Sequence, residues 1–470
     1  MKRALLLVLL LAGCASDRGI GHRSTPADPA ALQAEKSLGA ESATGEWPAL
    51  DWWKRFGDPQ LDTLVDEALA GSPNMRLAQA RFDQARAQAS IARVPLRPQV
   101  NAEASVNRQR FSENYIFPPP IGGSSYTTTQ LDVSASWEAD FWGRNRAAYE
   151  AALGRTRAAQ AEAFAARLAL SAGVGSVYVQ VARAYDQLDL ARRTLEDRER
   201  VQSLTTDRVR AGLDSRLELK QVETSIPAAR ARIAQIEEEI SLARSQLAAL
   251  LGNGPDRGHA VERPQLHMAA VALPSRVPAD LLGRRPDIAA ARARVEAGSR
   301  DIAAAKAAFY PDISLTALIG VQSVTLSKLL ETGSAIPSAG AAIRLPVFDS
   351  GRLRGNLAAR NADYDAAVEQ YNQALADALR EVVDQLASMR SVQVQRAEAD
   401  TALAAAEEAY NLAVTRYKAG IGSLLQVLTA ETQVLEQRNL RADLHARELA
   451  LSINLIRALG GGFDVQVAMQ

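Results

Sequence analysis

Residues able to do chemistry are few in this chain. There is one cysteine, Cys14, and it follows Met1-Lys2-Arg3 and an apolar run from Ala4 to Leu11. A single thiol excludes an intramolecular disulfide, and behind a basic start and a short apolar stretch it reads as a group to be acylated. The four histidines, His22, His259, His267 and His445, are scattered and have no cysteine or carboxylate at metal-ligand spacing. GxSxG, P-loop and HExxH patterns do not occur. No catalytic residue, metal site or cofactor is expected, and the chain does not read as an enzyme.

The context of Cys14 decides what that thiol is for. A basic start followed by an apolar run too short to span a bilayer has the form of a secretory signal. Leu11, Ala12 and Gly13 ahead of Cys14 resemble the bacterial lipobox, in which small residues admit the lipoprotein signal peptidase and the cysteine becomes a diacylated N-terminus. The alternative is an ordinary signal peptide that contains a cysteine. In lipoproteins of this kind an Asp after the cysteine retains the protein in the inner membrane. Ala15 stands here, which points to the outer membrane. Residues 1–13 thus read as a signal peptide and 14–57 as a lipid-anchored N-terminal segment.

Composition describes the elements that follow. Aromatics are 5% of 470 residues, alanine and arginine abound, and the formal net charge is +0. Long helices are expected from such usage, and nucleic acid is not an expected partner. No later stretch is an uninterrupted apolar 18-mer, so no transmembrane helix is expected. A membrane crossing has to be a β-barrel or the lipid anchor alone.

Those elements are written twice. Ser72-Pro73-Asn74-Met75-Arg76 is echoed by Arg285-Pro286-Asp287-Ile288-Ala289, and 25 residues separate Pro73 from Pro98 and Pro286 from Pro311. Trp142-Gly143-Arg144 matches Ser350-Gly351-Arg352, Arg208 to Gly212 matches Arg416 to Gly420, and Leu251-Gly252 matches Leu459-Gly460, all at an offset of 208. The prolines are offset by 213, so the first copy holds five extra residues between Pro98 and Gly143. They fall near the loop-like run from Phe117 to Ser125. The repeats span 58–252 and 280–460, joined by a linker over 253–279 and followed by a tail over 461–470.

Each copy changes period in the same order. Apolar residues at three- and four-residue steps predict helix from Asp58 to about Ala92 and from Asp280 to Ala308. Strict alternation follows, with Leu131, Val133, Ala135, Trp137, Ala139 and Phe141 on one face and Asp132, Ser134, Ser136, Glu138 and Asp140 on the other. Val100 to Val106, Ile313 to Val321 and Ala339 to Val347 repeat the theme. Four strands, apolar on one face and polar on the other, match a transmembrane barrel. The same alternation also fits a soluble antiparallel sheet with one wet face.

Very long helices come next. No proline lies between Pro120 and Pro227 or after Pro346, and a helix from Arg144 to Gly212 reaches roughly 100 Å at 1.5 Å per residue. Its return partner carries a seam of Ile226, Ala229, Ile233, Ile236, Ile240, Ala243, Leu247 and Leu250. The equivalent run after Gly420 keeps Val434, Leu444, Leu451 and Leu455 but puts Gln437, Arg441 and Glu448 on that seam. Pro227 either sits in a first helical turn capped by Thr224 or Ser225, or kinks the helix.

Several motifs then occur in a family order: Trp52-Trp53-Lys54-Arg55-Phe56-Gly57-Asp58-Pro59-Gln60-Leu61, Trp137 to Arg144, Leu281 to Ile288, Phe309 to Leu315 and Leu345 to Arg352. From about Trp47 to Gly461 the chain resembles outer-membrane efflux lipoproteins of the NodT/OprM type in the TolC superfamily. The fold this implies is an α+β membrane protein, a shared transmembrane β-barrel with four strands per chain continued by a long α-helical coiled-coil periplasmic tunnel. Four strands cannot close a barrel, whose minimum is about eight, and the resemblance implies a homotrimer. It further implies a passive exit duct joined by a periplasmic adaptor to an inner-membrane proton-driven pump of the resistance-nodulation-division class, with outer-membrane lipids around the barrel.

In that picture the two glycine hairpins form the periplasmic tip, with Arg208, Gly212, Arg416 and Gly420 meeting the adaptor. Tyr417 matches a tyrosine that constricts the family's pore, while the family's tip acids fall here on Gln426 and Thr429, and an Arg or Asp common past the second glycine is Gly422. Gly212 and Gly420 also fit plain helix C-caps. Two alternatives stay beside this reading: a TolC-like type I secretion exit, and a lipid-anchored periplasmic coiled-coil scaffold that never crosses the membrane. The lipobox weighs against the first and the one-faced strands against the second. Five methionines and no histidine cluster give no support for a soft-metal relay.

Overall fold

Proline and glycine punctuate the chain, and the elements between them follow its periodicity. The computed structural model describes residues 17–32, 35–38, 45–267, 283–346, 348–349 and 351–468. Leu11, Ala12, Gly13 and Cys14 lie outside them. Helices α1 (Pro59–Gly71) and α2 (Pro73–Arg93) precede strands β1 (Gln99–Arg110) and β2 (Ser125–Ala139), which lead into α3 (Arg144–Arg210) and α4 (Arg216–Leu251). The order recurs as α5 (Pro286–Ala307), β3 (Asp312–Ser323), β4 (Ser338–Arg344), α6 (Arg352–Lys418) and α7 (Leu424–Ala458). α3 and α6 are each 67 residues long, about 100 Å of helix apiece.

Three local expectations are corrected. The helix expected from Asp58 to about Ala92 is two helices, because Ser72 is extended (ψ 132°) ahead of Pro73, as the residue before a proline must be to avoid the ring. β4 stops at Arg344 instead of running to residue 347. α4 runs unbroken through Pro227, so that proline is neither a start nor a first-turn residue. One 18-residue window in α3 is apolar enough to pass for a membrane span, yet half of it is buried inside the chain. It belongs to a protein core.

The chain forms two compact units, and each takes parts of both repeats. One holds Arg81–Ala159, Ala290–Asn372 and the described residues up to Pro26, and so contains the whole sheet. The sheet is antiparallel in the order β1-β2-β3-β4. Beside it, Ile302, Ala305 and Leu357 pack with Ile20, Phe309 and Tyr364. The N-terminal segment is tied down here: Arg23 and Ser24 each donate a backbone N–H to Asp365 Oδ1 at 2.9 Å, and His22 lies 4.7 Å from the Tyr364 ring.

The other unit is cored by the Trp-Trp motif. Trp52, Trp53 and Phe56 are buried with Leu61, Leu64, Tyr178, Leu247, Leu251 and Ile453. Asp58 explains why that motif continues Gly-Asp-Pro-Gln. Its Oδ1 caps α1 by accepting from Gln60 N, while Oδ2 accepts from Tyr178 Oη and from Gln265 N, both at 2.7 Å. Burial raises the Tyr178 phenol, so it remains a donor. Described linker residues are packed and not loose, since Arg257 pairs with Glu67 at 2.8 Å. Two of the three polar residues on the α7 seam find partners on α6, Arg441 with Asp400 at 3.2 Å and Glu448 with Arg396.

Candidate functional site: the sheet faces and the hairpin tips

Register gives the sheet two chemically distinct faces. β1 and β2 pair without a bulge from Gln99↔Ser136 to Arg110↔Ser125, and β2 and β3 from Ala139↔Ile313 to Thr129↔Ser323. Residues directly opposite in an antiparallel pair share a face. One face therefore carries Val100, Ala102, Ala104 and Val106, then Leu131, Val133, Ala135 and Trp137, then Ile313, Leu315, Ala317, Ile319 and Val321, and Ile343 from β4. Most of its large side chains are exposed, Ile319 at 69% and Ile343 at 72%, while Ile313 and Val321 are half-buried. The opposite face carries Asn101, Glu103, Gln130, Asp132, Ser134, Ser136, Glu138, Thr316 and Gln322. Phe141 lies beyond the end of β2 and is exposed.

β1 and β4 have no partner on their outer edges among the described residues. An exposed apolar face with two open edges is unstable in water and also in lipid, where unpaired backbone groups cost several kcal/mol each. This sheet is part of a larger closed one.

The tips are two helical hairpins built alike. α3 is followed by Gly212 (φ +71°) and α6 by Gly420 (φ +79°). In each, the glycine N–H bonds three residues back and the next N–H five residues back: Gly212 to Val209 and Leu213 to Arg208, Gly420 to Tyr417 and Ile421 to Arg416. That is the Schellman cap, whose left-handed residue favours glycine. The return helices start with capping boxes, Ser215 with Glu218 and Ser423 with Gln426. Gln426 thus has a local duty at α7. At Gly422 a Cβ would approach Arg416 Cβ and Tyr417 N to 3.0 Å, which leaves little room for the family's charged residue.

Side chains join the hairpins. Arg208 donates Nε and Nη2 to the Asp214 carboxylate at 2.8 and 3.1 Å, and Nη1 to the Tyr417 carbonyl at 2.7 Å. Its guanidinium lies 4.4 Å from the centre of the Tyr417 ring. Tyr417 Oη donates to Asp214 Oδ2 at 2.5 Å and lies 3.0 Å from Thr205 Oγ1. Bonding to Arg208 holds the Asp214 carboxyl below its ordinary value, with Tyr417 adding to the effect. The same contact raises Arg208, and burial together with Asp214 raises Tyr417.

Tyr417 is 1% exposed and packs with Val222, Leu424 and Val427, whereas Gln426 and Thr429 are exposed on α7. The structure therefore joins Arg208 to Tyr417 and does not bring Tyr417 to one surface with Gln426 and Thr429. Sequence reasoning missed Asp214. It also missed the matched apolar tips, Leu213 with Ile421 and Leu217 with Leu425, each pair offset by the repeat's 208 and each side chain 63 to 69% exposed. Arg416 is exposed beside them.

A fold of this kind, one incomplete apolar-faced sheet and paired long helical hairpins per chain, defines a subunit of an outer-membrane channel. The outer membrane efflux protein family model matches residues 64–253 and 277–461, and the chain belongs to that family. It is 41% identical over 362 residues to the fusaric acid resistance protein FusA of Burkholderia cepacia, covering 76% of this chain and 68% of that one. It is 31% identical over 469 residues to the multidrug resistance outer membrane protein MdtP of Escherichia coli K12, covering 97% and 94%. Among solved structures, the outer membrane protein VceC of Vibrio cholerae superposes with a TM-score of 0.84 at 36% identity, over 89% of this chain and 100% of that one. The protein is thus an outer-membrane efflux channel subunit.

Proposed function

We propose that three copies of this chain close their sheets into one barrel and form a passive exit duct for small organic molecules. An inner-membrane pump of the resistance-nodulation-division class supplies the driving force, and a periplasmic adaptor links it to the duct. The observation that carries this reading is the sheet register: one face with an apolar band whose large side chains are mostly exposed, the other mainly polar, and both edges open among the described residues. Closure by identical copies pairs β4 of one with β1 of the next and leaves no edge. The relatives named for fusaric acid and multidrug resistance support organic cargo. The duct does no chemistry, and no cofactor is required.

The duplicated apolar tips support adaptor docking at Leu213, Leu217, Ile421 and Leu425, flanked by Arg208, Gly212, Arg416 and Gly420. Exposed large side chains at equivalent places in both hairpins suit a partner that meets each hairpin in the same way. Gln426 and Thr429 supply a neutral lining near the entrance. Acylation at Cys14 would anchor the N-terminus in the same membrane. A division into repeats over 58–252 and 280–460 is part of this reading, and the match of the family model in two segments, 64–253 and 277–461, supports a twofold arrangement. The test is native mass spectrometry of detergent-extracted protein together with planar-bilayer recording. Trimers that conduct support the duct; a monomer, or a trimer with no conductance under any applied voltage, refutes it.

A further inference from the structure

The apolar face of the sheet changes character abruptly at one end. Along β1 its residues run Val100, Ala102, Ala104, Val106, Arg108 and Arg110, and opposite the two arginines stand Thr127 and Ser125 of β2. On β3 the run from Ile313 to Val321 gives way to Ser323. Eight steps of about 3.4 Å, tilted by about 40°, make an apolar band of roughly 20 Å. Arg108 and Arg110 sit past its edge, at the end carrying the strand-to-strand loops and away from the strand ends that lead into helices. They are the only charged residues on this face of the described strands; Glu103, Asp132, Glu138, Asp312 and Arg344 all lie on the other face.

Neither arginine has a strong partner. The Arg108 side chain forms no hydrogen bond or ion pair among the described residues and is exposed. Arg110 meets only Glu113, at 3.3 Å, with both side chains about 70% exposed, a pair of little worth in water. Two guanidinium groups beside exposed hydroxyls, at the boundary between an apolar band and water, have the donor set that phosphate takes. No such cations occur on this face at the other end of the band, where Trp137 and Ile343 lie.

We infer that Arg108 and Arg110, with Thr127 and Ser125, form a recognition patch for phosphate-bearing anionic lipid in the outer leaflet. The inference rests on reading the sheet as a membrane barrel. Lipid phosphates then lie at the height of the arginines while the acyl chains run along Val106, Leu131 and Ile319, and the patch sets the barrel's depth and orientation.

The full-length protein in detergent is mixed with diphosphorylated lipid A or its dephosphorylated form, repurified, and the bound lipid counted per chain by mass spectrometry. The native chain should retain the phosphorylated form in excess, Arg108→Ala and Arg110→Ala should each lower that excess about fivefold, and Arg108→Lys/Arg110→Lys should keep part of it. Equal retention of both lipids by the native chain, or an excess unchanged in Arg108→Ala/Arg110→Ala, overturns the patch. Displacement of bound lipid by millimolar inorganic phosphate assigns the site to free phosphate and overturns the lipid. Insertion of each protein into phosphatidylethanolamine vesicles is followed in parallel by resistance of the barrel to sodium dodecyl sulfate at room temperature. Failure of the native chain to insert overturns the membrane reading itself; insertion without discrimination between the lipids overturns the patch alone.

Discussion

Replacing Asp214 by Asn should loosen the joint between the two hairpins and leave the fold elsewhere intact. The carboxylate accepts three hydrogen bonds, two from Arg208 and one from Tyr417, and the Arg208 and Asp214 side chains are only 9% and 11% exposed. A hydrogen bond to a charged group contributes about 1.5 to 3 kcal/mol, and a neutral one about 1. Asp214→Asn keeps the shape and one acceptor but strands much of the guanidinium charge, so a loss of about 2 to 3 kcal/mol in local stability is expected. Asp214→Ala should cost more. Tyr417→Phe removes one donor and leaves the Arg208 pair, and about 1 kcal/mol is expected. Hydrogen exchange reads this directly: protection at Gly212, Leu213, Gly420 and Ile421, whose amides form the caps, should fall about thirtyfold or more in Asp214→Asn. The pH dependence has a defined sign. Because Asp214 is lowered from 3.8 in the fold, the stabilisation is complete above that value and is lost as pH falls through the lowered one. Tyr417, raised from 10.0, contributes fully below pH 10.0 and loses its share as pH rises through the raised value. In planar bilayers, Asp214→Asn should raise conductance at neutral pH, and the native channel should match it only in strong acid. Unchanged cap protection in Asp214→Asn, or an equal loss in Tyr417→Phe, would show that the carboxylate does not hold the hairpins together.

Further outcomes follow from the other surfaces. Ala135 stands opposite Ala317 at the centre of the apolar run on β3, so Ala135→Arg should cost about 2 to 4 kcal/mol near the midplane and abolish barrel assembly; wild-type yields of folded trimer contradict that placement. Hydrophilic thiol reagents, used on protein whose Cys14 is acylated, should label a cysteine at position 134 and spare one at 133, and equal labelling refutes the alternation. Cys14→Ser should abolish acylation, visible in the intact mass of the mature chain, while export survives because the barrel has its own contact with the membrane. Gln426→Asp with Thr429→Asp should raise cation selectivity and introduce a block by divalent ions, since a confined ring of like charge attracts cations; unchanged single-channel behaviour places both residues away from the pore.

Periodicity carries information about faces, and the parts of this fold that depend on faces alone were legible in the sequence. The offset of 208 paired Gly143 with Gly351, Gly212 with Gly420 and Gly252 with Gly460, and all six adopt positive φ, because the same chain reversals recur in each repeat. Alternation sorted Leu131, Val133 and Trp137 from Asp132 and Ser134, and the seam residues Ile226, Ala229, Ile236, Ile240 and Leu247 are buried. What alternation cannot supply is the neighbour across a gap in sequence. Asp214 meets a tyrosine 203 residues away, and nothing local to Gly212-Leu213-Asp214-Ser215 distinguishes that acid from an ordinary turn residue. Pro227 is less legible for a related reason: local sequence allows it a first-turn place or an interior one that kinks the helix, and only the helix continuing on both sides of it, from Arg216 to Leu251, excludes the first.

Gly320 shows how register turns a weak strand residue into a meaningful one. Taken alone, a glycine inside β3 marks lost packing and extra unfolded-state entropy. Register places it opposite Asp132 on the polar face, where an added Cβ would come within 2.5 Å of Asp132 Cβ. Asp132 is buried and accepts from Gln130 Nε2 at 2.7 Å, and Glu103, which is exposed, lies directly across from it on β1. Two acids facing each other across a strand pair repel, and they would be squeezed out of any dry interface. The exposed Glu103 at mid-strand, on the face opposite Ile319 and Val133, calls for water on that side. A soluble one-sided sheet would put its apolar face against a core; here that face is the exposed one and the acids lie behind it, an arrangement that only a water-filled barrel surrounded by lipid stabilises on both faces.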